Sequence, residues 1–178
     1  MTLSAGTITG SGSISARGGN GNGSGGGGAG GRVAIHYQTN LFAGTISAPG
    51  GSGYEAGGAG TIYLQGNSQP DATLIVDNGG LSGAATPLAS TASLGQHWFV
   101  GNGGIAEVQG SIPVLSNVVV SAGGVLTSIA SDTNLYLAIL GDLTVSSGAA
   151  INLDAKGFAQ ATGPGAGTSA SGNGSGAG

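Results

Sequence analysis

Val120-Ser-Ala-Gly-Gly-Val125 is one of four stretches that decide the fold of this chain. The same pattern of valine, two variable residues, glycine, a small residue and an apolar residue recurs as Val76-Asp-Asn-Gly-Gly-Leu81, Val100-Gly-Asn-Gly-Gly-Ile105 and Val145-Ser-Ser-Gly-Ala-Ala150. Each copy is typical of a strand, a tight turn and a second strand. The valines follow one another at 24, 20 and 25 residues, and such spacing is typical of solenoids. The pattern therefore predicts an all-β fold, a parallel β-helix-like solenoid with Gly-rich extended flanks, in which the four valines are equivalent core positions.

A second repeat covers the glycine-rich part of the chain. Ser13-Ile-Ser-Ala and Thr45-Ile-Ser-Ala each lead through a glycine tract into a new strand, and their isoleucines lie 32 residues apart. Because the tracts are too long for simple turns, we expect them to form an ordered flank along the solenoid or a flexible loop. We predict one module over 1–178, which comprises Gly-rich strand repeats (1–66), β-helix rungs, the strands that stack from coil to coil (67–157), and a Gly-rich tail (158–178).

The stretch from Thr7 to Ala16 alternates with a period of two. Ile8 and Ile14 occupy even positions, whereas every odd position carries a hydroxyl group. Alternation of this kind predicts a strand with its isoleucines inward and its hydroxyl groups outward. We call the outward set the hydroxyl face and expect it to contact a ligand, another chain or a glycan; its members are Thr7, Thr9, Ser11, Ser13 and Ser15.

Composition limits the partners that the chain can bind. It has 178 residues, of which 41 are Gly and only 6% are charged, yet 39% are hydrophobic. The apolar content favours a folded chain over disorder. Three basic residues and a net charge of -4 make nucleic acid an unsuitable partner. Without a long apolar run we expect no membrane insertion, and without cysteine no disulfide or thiol chemistry is possible.

Two sets of residues resemble known protein families. Val118 to Thr127 and Leu143 to Leu153 resemble rungs of the right-handed parallel β-helices in bacterial autotransporter and filamentous-haemagglutinin-like surface proteins. The glycine-rich segments Gly6 to Tyr37 and Ala43 to Gln65, which contain GGGGAGGRVAIHY and GGSGYEAGGAGTIYL, are similar to repeats of very large secreted or surface-anchored bacterial proteins. This resemblance implies a β-helix fold and an extracellular or cell-surface location with a structural or adhesive role. It implies no catalytic residue.

Two kinds of binding site have weak support. The GxGxxG matches near Gly21 carry little information in so glycine-rich a tract, and no helix pattern follows them. Gly50 to Glu55 is similar to a calcium-binding turn, but the apolar residue that should follow it is replaced by glycine. His36 and His97 have no second His or Cys at a metal-ligand spacing. We therefore predict no metal and no cofactor.

Catalysis in a β-helix needs carboxylates that converge from adjacent rungs. The valine register places Asp77 over Gly101, and over a serine in each of the next two copies, so no second acid stacks on it. The remaining aspartates lie near strand ends, where Asp commonly forms turn hydrogen bonds; they are Asp71, Asp132, Asp142 and Asp154. We predict that the chain is not an enzyme and has no catalytic residues.

The only tryptophan lies in Gln96-His-Trp-Phe-Val100. Strand alternation places Trp98 on the same face as Val100, in the core, and places His97 and Phe99 on the other face. Trp98 is then a core or end-cap residue, or alternatively an aromatic platform on which a sugar stacks. We retain Trp98 with the hydroxyl face as a candidate ligand contact.

These observations favour a structural or adhesive repeat module of an extracellular fibre, sheath or large surface protein. Neither end of the sequence has an evident polar cap, so we expect self-association, as a head-to-tail homopolymer or as tandem repeats. The alternative is a solenoid surface that binds carbohydrate or ice through the hydroxyl face. A polysaccharide-active β-helix enzyme ranks third because converging acids are missing.

Overall fold

The computed structural model describes residues 1–69, 71–89, 96–110, 114–129, 135–159, 162–164 and 167. These residues form thirteen β-strands and no helix, which confirms the all-β prediction. Accordingly, no helix that could cross a bilayer occurs among them. The strands are β1 (Thr2–Gly10), β2 (Ser13–Ser15), β3 (Arg32–Phe42), β4 (Thr45–Ser47), β5 (Thr61–Gly66), β6 (Ala72–Asp77), β7 (Thr86–Ala89), β8 (Gln96–Gly101), β9 (Ile105–Gln109), β10 (Asn117–Val120), β11 (Val125–Ser128), β12 (Leu143–Val145) and β13 (Ala150–Ile151).

The strands form three sheets. The largest has seven strands in the order β1-β3-β5-β6-β8-β10-β12, and the others are β13-β11-β9-β7 and β2-β4. All strand pairs are parallel except β5 and β6, which are antiparallel. From β6 onward the chain alternates between the seven-stranded and the four-stranded sheet, so that neighbouring strands of one sheet are separated along the chain by one strand of the other.

The rung register agrees with the sequence prediction. Val76 pairs with Val100, Val100 with Val120, and Val120 with Val145. In the glycine-rich part, Ile14 pairs with Ile46. The predicted register of the four valines and of the two isoleucines is therefore confirmed. The predicted core position is confirmed for Val76, Val100 and Val120 but is wrong for Val145, which lies on the last strand of the sheet and is 46% exposed.

Each valine pattern ends in a turn that needs glycine at its fourth position. Gly79, Gly103, Gly123 and Gly148 have φ angles of 62°, 79°, 76° and 76°. Residues other than glycine rarely adopt φ angles in this left-handed region, because their Cβ collides with the backbone there. The repeated glycine is thus required by the backbone, which explains why it recurs in every copy.

The reversal between β5 and β6 separates two hydrophobic cores. Ile62 pairs with Ile75 and Tyr63 with Leu74. Ile62 and Ile75 belong to the N-terminal core, whereas Leu74 and Val76 belong to the C-terminal core. Because successive residues of a strand point to opposite faces, the two cores lie on opposite faces of the seven-stranded sheet.

This arrangement corrects the expectation of uniformly parallel rungs. The five-residue connection between Gly66 and Ala72 is short, and a short connection joins antiparallel strands, whereas parallel strands need a long crossover. Gln65 helps to hold the bend, since its Nε2 donates to the carbonyl oxygens of Gly66 and Gln69, both at 3.2 Å. The direction change falls where the segments 1–66 and 67–157 meet.

The glycine tracts 16–31 and 48–60, which we call the glycine bundle, are ordered and packed. They lie outside the strands, yet their backbone groups bond between tracts. Many backbone donors of the bundle lie three residues apart. Gly18 and Gly21, and Gly27 and Gly30, donate to the other tract, whereas Gly28 and Gly31, and Gly57 and Gly60, donate within their own tract. Three residues per turn is the period of the polyproline II helix. The tracts therefore form an ordered flank, which is one of the two arrangements expected from the sequence; the other was a flexible loop.

Glycine is necessary in the bundle because the tracts touch through their backbones. A Cβ at Gly27 would overlap the carbonyl group of Gly51, and one at Gly60 would overlap that of Gly31. Only a residue without a side chain permits this approach. The bundle is therefore held by backbone hydrogen bonds and close backbone packing, with few apolar side chains.

Candidate functional site

The hydroxyl face is exposed over its whole length. All five of its members are exposed, whereas Ile8 and Ile14 are half-buried and pack against the N-terminal core. The predicted orientation is therefore confirmed. Its strand is interrupted, however, because β1 ends at Gly10, whose φ is 107°, and β2 begins at Ser13.

A second row of hydroxyl groups lies beside the first on the neighbouring rung. Thr7 pairs with Thr39 and Ser13 with Thr45. Ser15 pairs with Ser47, and the Oγ atoms of this last pair are 3.4 Å apart. Neighbouring strands lie about 4.8 Å apart and alternate residues about 6.8 Å apart. The face is a small uncharged array of donors and acceptors, suited to hydroxyl-rich ligands.

Trp98 does not belong to this face. It is 2% exposed and lies in the C-terminal core, and its Nε1 donates to Gln96 Oε1 at 3.1 Å. His97 and Phe99 are half-buried on the opposite face of β8, as alternation predicts. Trp98 is a core residue, and its contact role is corrected because a ligand needs an open ring face for stacking.

Sequence reasoning missed one polar cluster, on the outer face of β8. Asp71 Oδ2 accepts a hydrogen bond from Ser116 Oγ at 2.7 Å and lies 3.4 Å from His97 Nε2. Asn117 Nδ2 lies 3.1 Å from His97 Nδ1, while Asn117 Oδ1 accepts from the backbone N–H of Asp142. The pairing of His97 with Asn117 in adjacent strands follows from the valine register and could have been read from it.

The geometry of this cluster is that of a structural link. In a nucleophilic triad the histidine lies between the serine and the carboxylate. Here Asp71 lies between Ser116 and His97, so the serine donates its proton to a carboxylate and faces no base. The cluster links the beginnings of four neighbouring strands of the sheet, β6, β8, β10 and β12.

Asp77 and Asn78 serve the first turn of the repeat. Asp77 accepts from the N–H of Gly79 and from Asn102 Nδ2, both at 2.8 Å. Asn78 is fully buried; its Oδ1 accepts from Gly50 N–H at 2.8 Å, and its Nδ2 donates to the carbonyl groups of Gly57 and Leu81. The side chains of Asn78 and Asn102 thus have different hydrogen-bond partners. Asn78 connects the turn to the glycine bundle.

The remaining candidates have varied surroundings. Glu55 is exposed, and its carbonyl oxygen accepts from Gly27 within the bundle. His36 lies against the ring of Tyr63 at a centroid distance of 5.9 Å. Within the described ranges, no three His, Asp or Glu side chains come together to hold a metal ion. Asp132 lies outside the described residues.

Comparison with protein-family models, with curated proteins and with solved structures finds no match to this chain.

Proposed function

We propose that the protein is a structural module of an extracellular fibre, sheath or large surface protein, built as a two-part parallel β-solenoid with a glycine-bundle flank. The observation that carries this proposal is the rung register. Val76, Val100, Val120 and Val145 stack one on the next through parallel strands. A fold that grows by adding equivalent coils suits an extended structural element.

The path of the chain supports the solenoid. Strands β6, β8, β10 and β12 lie in the seven-stranded sheet, and β7, β9, β11 and β13 alternate with them in the four-stranded sheet. The N-terminal part does the same on a larger coil, since β1, β3 and β5 share the large sheet while β2 and β4 form the small one. We propose that the hairpin between β5 and β6 joins two such solenoids.

The chemistry of the described residues also fits a structural role. The glycine bundle and the sheets are stabilised by backbone groups, and the buried side chains are mostly aliphatic. Among the buried polar side chains, Asn78 and Thr86 bond backbone groups of the glycine-rich part. An extracellular or cell-surface location and a non-enzymatic role remain part of this proposal.

Negative-stain electron microscopy and light scattering over a concentration series test the proposal. We expect elongated particles that join as the concentration rises, in pairs by the twofold contact described below and into longer particles only through a further head-to-tail contact. Compact, separate particles at every concentration would exclude a fibre-forming role for this chain.

A second candidate function is binding of a glycan or of ice through the hydroxyl face. The observation in its favour is the double row of hydroxyl groups on β1–β3 and β2–β4. Pull-down with insoluble polysaccharides and an ice-affinity assay test it. The variant pair Thr7→Ala and Ser13→Ala should lose binding, whereas Ser68→Ala, an exposed serine in the hairpin, should retain it; equal retention by both would exclude this role.

A further inference from the structure

The C-terminal core is open at its last rung. The inward-facing side chains of β10 and β11, the strands next to the last one in each sheet, are fully buried: Val118, Val120 and Leu126 have 0% exposure. Their partners on the neighbouring strands β12 and β13 are Leu143, Val145 and Ile151, which face the same way. These three side chains are 47%, 46% and 40% exposed. The difference arises because no further rung covers them among the described residues.

Exposed apolar side chains concentrate at this end. Among the described residues, eleven large hydrophobic side chains are exposed, and seven of them lie between Tyr136 and Phe158. Soluble chains rarely expose such a cluster unless it binds something. After Phe158 the sequence contains no Val, Leu, Ile, Met or aromatic residue. The tail therefore offers no large apolar side chain to cover the open rung.

The backbone of the same end is also available. Within the described part of the chain, β12 pairs only with β10, and β13 only with β11. Strands at a sheet edge present unpaired N–H and C=O groups that template a further strand. Neither β12 nor β13 contains a charged residue or a proline, the usual means by which an edge repels another strand. A partner that binds this end would supply both a strand and apolar side chains.

We propose that this end binds the same end of a second copy, with β12 antiparallel to β12 across a twofold axis at Thr144. Directly opposed residues of an antiparallel pair share one face of the sheet. Leu143 then faces Val145 of the second copy, Thr144 faces Thr144, and the inner face of one sheet continues into the other. The inference extends the proposed structural function by naming the contact through which the module associates.

Self-pairing fits this surface in shape and charge. Each large branched side chain meets another, and the four-stranded sheet continues in the same way through β13. The nearest acid, Asp142, faces Ser146 of the second copy in this register, so like charges do not meet. Twofold contacts of this kind are self-complementary by construction.

The opposite end of the molecule fits less well. On the face of the sheet that carries the C-terminal core, β1 presents Thr2 and Ser4, both exposed. On the other face it presents Leu3 and Ala5. Neither face offers two large branched side chains, and the four-stranded sheet does not extend to β1. The structure therefore favours tail-to-tail over head-to-tail pairing.

Single-cysteine variants test the contact, because the chain has no cysteine of its own. Cβ atoms of directly opposed residues lie about 4.5–5.5 Å apart, close to the separation in a disulfide. Under mild oxidation we expect Thr144→Cys to form covalent dimers at least about tenfold faster than Thr9→Cys, its exposed counterpart on β1. Equal rates, or cross-linking that occurs only when the Thr144→Cys and Thr9→Cys variants are mixed, would overturn the proposal.

A second measurement uses the inner face of β12. Sedimentation equilibrium should show a dimer for the wild-type chain, and Val145→Asp should weaken it at least about tenfold because the contact would bury an unpaired charge. Circular dichroism checks the fold of this variant, and Val145→Thr provides a milder change if it is unstable. A monomeric wild-type chain at all concentrations, or an unchanged dimer in both variants, would refute the contact.

The structural function and the tail-to-tail contact can be refuted independently of each other. Filaments that form while the Thr144→Cys variant gives no disulfide would exclude the tail-to-tail contact and leave the structural function in place. Dimers that never extend into longer particles would leave the contact in place and exclude a fibre built from this chain alone.

Discussion

The glycine bundle allows a matched test of backbone packing with a single methyl group. Gly27 and Gly19 lie in the same tract, and neither has a left-handed φ. A Cβ at Gly27 would overlap the carbonyl group of Gly51, well inside the 3.0 Å separation that real Cβ atoms keep, whereas a Cβ at Gly19 would have no neighbour within 4 Å. Gly27→Ala should therefore force two backbones apart, and Gly19→Ala should not.

The magnitude follows from the contacts that must give way. Overpacking costs about 1–3 kcal/mol. Separation also strains the bonds from Gly27 N–H to Glu55 and from Gly51 N–H to Gly28, both 2.8 Å, at about 0.5–1.5 kcal/mol each. Alanine restricts the unfolded chain in both variants, which offsets about 0.4–1 kcal/mol. We expect Gly27→Ala to lower the free energy of unfolding by about 2–5 kcal/mol and Gly19→Ala to leave it unchanged or slightly raised.

Thermal and urea denaturation measure both variants. For a domain of this size each kcal/mol corresponds to about 2–4 °C in Tm, so Gly27→Ala should melt about 5–15 °C below the wild type. Equal melting temperatures for the two variants would show that the tracts do not touch as described, and the period-three packing would have to be abandoned.

Three further predictions concern other parts of the molecule. Val120→Asp should bury an unpaired charge at a fully buried site and cost several kcal/mol in denaturation, whereas Ser121→Asp, half-buried at the turn, should change stability little; equal tolerance of both would remove the register. Asn78→Ala should destabilise the chain by about 2–4 kcal/mol, because three backbone groups lose their hydrogen-bond partner. Asn102→Gly should be neutral or stabilising, since Asn102 has a φ of 48°. The reverse order of stability in urea titrations would contradict these turn assignments. Any glycan binding by the hydroxyl face should survive about 1 M salt, because its members carry no charge; a loss of pull-down at that salt would point to another surface.

Local signals predicted the rungs and the hydroxyl face. The valine register depends on a turn that needs glycine at one position and on strand alternation, both of which act over a few residues. The same alternation placed Trp98 and Val100 on one face, and the structure agrees. Alternation does not decide whether Trp98 is a core residue or a ligand contact, because that depends on which side chains cover its ring in the folded molecule.

The reversal at β5–β6 had a signal that was overlooked. Asn67-Ser-Gln-Pro-Asp71 places turn-forming residues between two runs of strand-forming residues, a pattern typical of a hairpin. The two cores lie on opposite faces of the sheet as a result. Strand alternation predicts this only once the pairing of Ile62 with Ile75 is known. The period of the glycine bundle was not evident from the sequence, because glycine fills just over half of the positions of the tracts and does not mark one face by a regular spacing.

The two periods of this fold set different rules for changes in chain length. A strand restores its inward and outward faces after an insertion of two residues, whereas a tract of the bundle returns to the same contacts only after three. One extra residue in the tract 16–31 would rotate every following position by a third of a turn and move alanine or asparagine into places that only glycine fits. Insertions that keep the packing therefore come in threes within the tracts and in twos inside a strand, whereas the connections between strands accept odd changes, as the spacings of 24, 20 and 25 residues between the valines show.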